Sequence, residues 1–479
     1  MENIVGRETE RRILEELYKS ARPEFVAVYG RRRVGKTFLI REHFKDRFAF
    51  FHTGLSPFEL KGSQMMRGQL QNFSYSLARF GAEIENMPKD WIEAFNLLIR
   101  LLESKGKDKR LVVFIDEVPW IATPRSGFIT ALEHFWNGWG AGQDNLLLIV
   151  CGSATSWIND NLINNTGGLY GRLTRQIHLS SMTLAETEKL FVANGIIMDR
   201  YDVVQSYMVF GGIPYYLNAF TKGKSLSWNI DRLMFGKDAV FADEFDRMFR
   251  SLFSNSEEYQ KIVRFLSRSR NGYTRDEIVS SVSSSGGGLT KILKCLQENG
   301  FISVCKDAGG RARDIRYRLS DPFCLFWLHF KDNMKTTNES FWENRQFLPG
   351  INAWRGFAFE NVCYMHVSQI KAALGISGVH TEVFLWIYKG DDSHDGTQVD
   401  MLISRADRII NLCEIKFSIS EYTVTKDYDH RLRTRLQTFL DVMRPKSSVH
   451  NTLITTYGLR ENEYSGRFQN VITLDDLFR

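Results

Sequence analysis

Through the first 180 residues, short apolar runs alternate with amphipathic stretches. The runs Phe25–Tyr29, Phe48–Thr53, Leu111–Ile115, Leu146–Cys151 and Gln176–Leu179 carry little polar alternation, which predicts strands covered on both faces. Between them, Lys36–Phe44, Trp91–Glu103 and Gly127–Trp136 carry helical patterns. Strand and helix in turn predict a parallel α/β sheet.

The strand signal stops at Thr183. Thr183 followed by Glu186 has capping-box spacing and predicts a helix over Thr183–Asn194. Asp202–Phe210 and Tyr215–Phe220 follow, divided by the break Gly211–Gly212–Ile213–Pro214, and together predict a small helical bundle. Further on, helices are expected over Glu258–Ser267, Thr274–Ser280 and, after the Ser/Gly stretch Ser283–Gly288, Leu289–Asn299. Strands are expected at Phe301–Lys306 and Ile315–Leu319, joined by a Gly/Arg-rich turn. Three helices and a hairpin resemble a winged helix-turn-helix. A linker is expected at Lys331–Pro349, then a helix over Phe357–Lys371. Strands at Val383–Tyr388, Gln398–Ser404, Ile409–Lys416 and Val449–Thr456, with a basic helix His430–Met443, complete a last α/β module. The expected domains are 1–180, 181–256, 257–330 and 350–479.

Composition narrows the class without choosing the chemistry. Over 479 residues, 43% hydrophobic and 25% charged content describes a folded chain with more than one core. A net charge of +6 is mildly basic, and only local clusters can argue for nucleic acid. The six cysteines form no CxxC pair and no zinc spacing, so a reducing, cytoplasmic setting is expected. The opening MENIVGRETERR lacks the apolar stretch of a signal peptide. The longest apolar runs fall well short of the ~20 residues of a membrane helix, so no membrane association is expected.

One motif carries strong chemical information. YGRRRVGKTFLI places Gly30, Gly35, Lys36 and Thr37 in GxxxxGK[ST] spacing, directly after a strand and opening a helix. The loop Gly30, Arg31, Arg32, Arg33, Val34, Gly35, Lys36, Thr37 and Phe38 would wrap ATP phosphates with its backbone N–H groups. Lys36 would reach the outer phosphates, and Thr37 would meet Mg²⁺. The strand LVVFIDE ends in Asp116, placed to hold that metal through water, and Glu117, placed to orient and deprotonate the attacking water. The arginines Arg31–Arg33 either add phosphate affinity or stand as solvated charge.

With VGRETE, the P-loop, IDE, LLIVCGSATSW, LYGRLTRQIHLSSMT and GGIPYYL in hand, residues 1–220 resemble the archaeal-type ATPases of prokaryotes, a branch of the AAA+/STAND P-loop ATPases. The resemblance implies that Gly6, Arg7 and Glu8 lie near the adenine. It implies that Ser153 senses the γ-phosphate and that Gly212 and Pro214 contact the nucleotide from a helical lid. Arg172 is either an arginine finger, in cis or in trans, or a salt-bridged surface residue. Such ATPases often act as oligomers, so a homo-oligomer or a protein partner is expected.

Two downstream segments bear on nucleic acid. The helix Leu289–Asn299 would expose Thr290, Lys291 and Lys294, and the turn after it carries Lys306, Arg311, Arg313, Arg316 and Arg318. Such an element either contacts DNA phosphates or serves as a charged connector. In TQVDMLISRADRIINLCEIKFS, Asp400 sits in one strand, and Glu414 and Lys416 share a face of the next. With Glu360 on an upstream helix, this ordering resembles the PD-(D/E)XK nucleases over roughly residues 350–456, although Val399 stands where their namesake proline would be. The resemblance implies Mg²⁺ on Asp400 and Glu414, with Glu360 completing the shell and Lys416 acting on water and transition state. Arg431 with Arg435, or Arg433 with Gln437, would meet phosphates.

The expected whole is an α/β P-loop sheet with a helical lid, a winged helix and a PD-(D/E)XK-like end. Its expected function is ATP hydrolysis coupled to DNA binding and metal-dependent cleavage. The alternatives are an ATP-gated regulator whose last module binds without cutting, and a signalling ATPase whose C-terminal half binds protein.

Overall fold

The structure, a computed structural model, describes residues 4–56, 63–253, 255–282, 286–308, 315–332 and 340–479. Strands β1 (Glu24–Tyr29), β2 (Phe48–Thr53), β3 (Leu111–Asp116), β4 (Leu146–Gly152) and β5 (Arg175–His178) form one sheet in the order β2-β3-β4-β1-β5. Every pairing in it is parallel. Every residue of β3 and β4 is buried, which is why these segments read as uninterrupted apolar runs. The helices Trp91–Ser104 and Phe128–Gly138 close one face over Leu98, Phe95, Leu132 and Phe135. Asp90 fixes the start of the first by accepting the Glu93 N–H at 2.9 Å. Two helices not expected from the sequence, Glu8–Lys19 and Ser63–Arg79, belong to the same unit. This unit comprises Met1–Ser181 together with Ile213–Tyr215.

The second unit comprises Met182–Gly212 and Tyr216–Arg479. Thr183 and Glu186 form the expected reciprocal cap of the helix Leu184–Ala193, and Asp199 caps the next helix, Arg200–Phe210. Strands β6 (Tyr273–Thr274), β7 (Ile302–Asp307), β8 (Ile315–Leu319), β9 (Thr381–Tyr388), β10 (Thr397–Arg405), β11 (Ile409–Lys416), β12 (Ser448–Thr455) and β13 (Asn470–Ile472) make a single eight-stranded sheet. Its order is β13-β12-β11-β10-β9-β7-β8-β6. The β7–β8 hairpin joins the C-terminal strands through parallel pairing of Lys306 with Phe384 and Asp307 with Leu385. The boundaries expected near residues 256 and 330–350 therefore do not separate compact units.

The expected linker Lys331–Pro349 is corrected by the same packing. Of its described residues, Lys331 and Asp332 end the helical turn Trp327–Asp332, and the part from Ser340 contains the helix Phe341–Arg345, in which Phe341 and Trp342 are buried. The Asp231 carboxylate accepts the Trp342 and Glu343 N–H groups at 2.6 and 2.9 Å, satisfying donors that a helix start leaves open. Trp342 then meets Phe326, Phe330 and Trp354 with ring centroids 5.2, 5.2 and 6.0 Å away. Residues 333–339, the wing residues Arg311 and Arg313, and residues 283–285 of the Ser/Gly stretch lie outside the described residues. Among the described residues, no helix is long and apolar enough to cross a membrane.

Candidate functional site

The loop between β1 and the helix Lys36–Phe44 begins at Gly30, whose φ is +144°. A Cβ there would stand 2.3 Å from the Leu179 carbonyl oxygen, because the chain leaving β5 returns against the loop. Only glycine fits both the space and the backbone. Lys36 is buried, and its Nζ donates to the Gly30 and Arg31 carbonyls at 2.8 and 2.9 Å. The loop thus curls round the amine. From outside, the buried Arg7 donates to the Val34 carbonyl at 3.3 Å, following Gly6 through two left-handed backbone positions. Arg7 is therefore a brace of the loop in this structure. The three loop arginines differ: Arg31 is buried, Arg32 lies 5.8 Å from the Trp120 ring, and Arg33 lies 4.1 Å from the Tyr215 ring. Pro214 lies in contact range of Gly35, and Phe38 is half exposed on the following helix.

Acidic groups meet the loop from β3. Thr37 Oγ1 donates to Asp116 Oδ2 at 2.8 Å, and Asp116 Oδ1 accepts the Glu117 N–H at 2.9 Å. Glu117 has a left-handed backbone, φ 50°, a conformation of the kind that clusters at functional sites. Its carboxylate accepts the Ser153 hydroxyl at 3.0 Å and the Ser153 N–H at 3.3 Å. Gly152, which precedes Ser153, packs closely against the Pro119 ring, where a Cβ would stand 2.6 Å away. Burial raises the Glu117 pKa, and the neighbouring Asp116 charge raises it further, against Lys36 and the Ser153 hydrogen bonds. A carboxyl tuned upward beside a metal-type oxygen pair suits a general base. Thr37 and Asp116 supply the hard oxygens that Mg²⁺ requires, already within one hydrogen bond of each other. Arg172 is exposed, and among the described residues its side chain has no ion pair.

A second constellation lies in the other unit. The β9–β10 pairing shifts register between Val399 and Leu402, around Asp400. Bulges of this kind re-aim side chains beside active sites. Asp400 Oδ2 accepts the Ile415 N–H at 3.0 Å, and the Asp400 carbonyl accepts the Tyr364 hydroxyl at 2.9 Å. Glu360, on the helix Pro349–Met365, joins Asp400, Glu414, Lys416, Gln398 and Arg435 in lining one cleft of about 340 Å³. Glu414 is fully committed there: Lys416 and Arg435 pair with it and Tyr428 donates to it. Burial opposes its ionisation, yet Arg435 and Lys416 hold its pKa below the usual value. Burial and the Glu414 charge instead raise Asp400 to about 6, and burial and Asp400 raise Glu360 to about 7.

Charge therefore sits differently from the sequence reading. Glu414 is clamped by cations, while Asp400 and Glu360 form the carboxyl pair that a cation would relieve. Among the described residues, no group of three or more His, Cys, Asp or Glu is arranged to hold a metal. The pair still fits Mg²⁺, which takes one or two carboxylates and completes its shell with water and phosphate oxygens. Arg435 turns inward onto Glu414, and Arg433 pairs with Asp429 at 2.7 Å, so neither stands free for phosphate. Arg431 lies 5.8 Å from the Tyr428 ring.

The described cations of the basic wing meet groups of this chain. Lys306 pairs with Glu382 at 2.8 Å, Arg316 donates to the Asn271 and Gly272 carbonyls, and Arg318 is buried against Asn361. Arg316 is thus engaged with the backbone of this chain. Thr290, Lys291 and Lys294 are exposed as expected, although Lys294 lies 3.7 Å from Glu298. Sequence reasoning missed His366: its Nε2 accepts the Leu184 N–H at 3.0 Å and its Nδ1 donates to the Val362 carbonyl at 2.8 Å. His52, buried in the first unit, meets Ser76 at 2.9 Å.

The parallel sheet, the glycine-lined loop with its lysine, and the Thr37–Asp116 pair together have the form of a P-loop nucleotide site. Residues 4–220 match the family model described as an ATPase domain predominantly from Archaea. An uncharacterized protein of Methanocaldococcus jannaschii is 24% identical over 398 residues, spanning 81% of this chain and 83% of the relative. Among solved structures, a Walker-type ATPase of Pyrococcus abyssi is similar at 19% identity and a TM-score of 0.45, over 68% of this chain and 97% of that one. The Orc2 protein of Aeropyrum pernix, in ADPNP–ADP complexes, is similar at 13% identity and a TM-score of 0.41, over 70% of this chain and 96% of that one.

Proposed function

We propose that the chain hydrolyses ATP with Glu117 as general base, and that its C-terminal cleft binds DNA and cuts the phosphodiester backbone with a divalent metal. The observation that carries the first half is the Glu117 carboxyl held by Ser153 beside the Thr37–Asp116 pair, with its pKa raised. Glu117 takes a proton from water as the water oxygen bonds to the γ-phosphorus; the bond to the β-phosphate oxygen breaks, leaving ADP and phosphate. Lys36 balances charge on the outer phosphates. Thr37 and Asp116 would hold Mg²⁺, which would supply positive charge against the charge developing on the phosphates. Arg172, exposed and without an ion pair among the described residues, suits a finger delivered to a second copy of the chain.

The second half rests on the convergence of Glu360, Asp400, Glu414 and Lys416 from three elements on one cleft. Mg²⁺ held by Asp400 and Glu360 would polarise a phosphodiester. Lys416, kept charged by Glu414, stabilises the anionic transition state while water adds to phosphorus and the departing oxygen is protonated. Covalent continuity links the two halves: the chain passes between the units at Ser181/Met182, Gly212/Ile213 and Tyr215/Tyr216. The test is incubation of plasmid and linear DNA with Mg²⁺ or Mn²⁺, comparing the wild type with Lys416→Ala. Cutting by the wild type alone supports the cleft as a nuclease. Salt-sensitive binding without cutting by either protein favours a DNA-binding regulator in its place.

A further inference from the structure

The cleft has a neighbour. A cavity of about 610 Å³ lies beside it and shares Arg270, Phe357 and Glu360 in its lining. Four arginines line the larger space, Arg264, Arg268, Arg270 and Arg318, against two carboxylates, Asp332 and Glu360. Arg264 is paired with Asp332, and Arg270 lies 3.5 Å from Glu360. Arg268 and Arg318 have no ion pair among the described residues. Arg318 is only 6% exposed, with Asn361 at 3.1 Å and the Tyr364 ring at 4.6 Å as its neighbours. Arg318 shares the field of the Glu360 carboxyl with Arg270, so the lining keeps more cations than carboxylates, and an anion entering the cavity would offset the cost of burying them. Arginine also pairs with phosphate through two parallel donors, which favours a phosphate over a bare halide.

Aromatic groups share the lining. Phe357 is 45% exposed between the two spaces, and His329, also exposed, lines the larger one. Arginines interleaved with exposed aromatic faces are what single-stranded nucleic acid uses, phosphates on the cations and bases on the rings. The volume lies within the ~300–1,000 Å³ of pockets that enclose one small ligand, too small for a duplex.

We propose that this arginine-lined cavity receives a single-stranded stretch of nucleic acid and feeds its backbone past Phe357 to Asp400 and Lys416. The inference rests on the proposed reading of the cleft and names its substrate as single-stranded rather than duplex. It also gives a role to Arg268 and Arg318, which the cleft itself does not use.

The test is fluorescence anisotropy of the full chain in EDTA, with a labelled oligothymidylate and a blunt duplex of equal length. The wild type is expected to bind the single strand at least tenfold more tightly. Arg268→Ala should weaken that binding several-fold and Arg268→Glu by more than tenfold, each leaving ATP hydrolysis unchanged as the control for folding. The slope of log affinity against log salt should become shallower by about 0.7 for each phosphate that the variant no longer neutralises. Arg318→Met is the second variant, and exposed Arg268 keeps the test decisive if the buried substitution unfolds the chain. Unchanged single-strand binding by Arg268→Glu would overturn the cavity as the tract, while leaving metal-dependent cutting through Lys416 intact. Preference for the duplex would overturn it likewise, and absence of all binding would sink this inference and the nuclease reading together.

Discussion

The Thr37 hydroxyl donates to Asp116 Oδ2 at 2.8 Å, joining the first turn of the P-loop helix to the end of a strand 79 positions later in the chain. The two side chains are the oxygens a nucleotide-bound Mg²⁺ would share. Asp116→Asn and Thr37→Ala should therefore each weaken Mg-ATP binding by about 1.5–3 kcal/mol, with a much smaller effect on binding in EDTA. Isothermal titration with and without Mg²⁺ checks this, and equal losses under both conditions would argue against metal sharing.

Ser153 should set the pH dependence of hydrolysis. Its hydrogen bonds lower the Glu117 pKa against burial and the Asp116 charge. A general base works only when deprotonated, so the rate should rise with pH through the raised Glu117 value and level off above it. Ser153→Ala removes the hydroxyl bond, moves the midpoint upward and costs more activity at pH 6 than at pH 8. A pH profile of kcat for the two proteins is the measurement. An unmoved midpoint would detach Ser153 from the base.

Gly30→Ala should fail for a reason unrelated to nucleotide chemistry. The new methyl would collide with the Leu179 carbonyl oxygen at a backbone angle that L-residues avoid. A loss of at least about 2 kcal/mol is expected in urea denaturation of the ligand-free protein. Gly142→Ala, where nothing lies within 4 Å, should be nearly neutral and serves as the comparison.

Asp400 and Glu360 give the C-terminal unit its own pH signature. Their folded pKa values, about 6 and about 7, exceed those of the unfolded chain, so the folded state holds protons more tightly. Their contribution to stability is then most favourable below about pH 4 and is lost as pH rises through 6 and 7. Asp400→Asn should raise the melting temperature at pH 8 and change it little at pH 4.5. Mn²⁺ should stabilise the wild type at pH 8 and not at pH 5, because protonated carboxyls do not bind it. Calorimetry across pH tests both statements. Metal stabilisation that is equal at the two pH values would contradict the assignment.

Glu414 should behave as a structural charge. Glu414→Ala leaves Arg435 and Lys416 without their counter-ion and should cost about 3–5 kcal/mol, measurable by urea denaturation. Adding Arg435→Met should recover part of that loss. A Glu414→Ala variant as stable as the wild type would mean that the clamp does not form.

The nucleotide site was legible in the sequence because its chemistry is local: Gly30 to Thr37 is one loop, and Asp116–Glu117 ends an apolar strand. What escaped was long-range. Nothing in the hairpin Ile302–Leu319 announces that Lys306 pairs with Phe384, so the downstream modules read as separate domains instead of one sheet. The segment holding Phe341 and Trp342 read as a linker because its anchor, Asp231, lies more than a hundred positions upstream. Charge was legible in kind and misplaced in partner. Arg316 and Arg435 looked free for phosphate, yet each meets an acceptor brought near only by folding. The arginine cavity beside the cleft gathers residues from three stretches of chain, and no spacing rule finds it.

The most direct test of the central claim is single-turnover ATP hydrolysis by the wild type and by Glu117→Gln, with binding of a fluorescent ATP analogue followed in parallel. If Glu117 is the general base, the variant binds the analogue within about threefold of the wild type and hydrolyses ATP about 10²–10⁴-fold more slowly. Hydrolysis by Glu117→Gln at the wild-type rate would contradict the account.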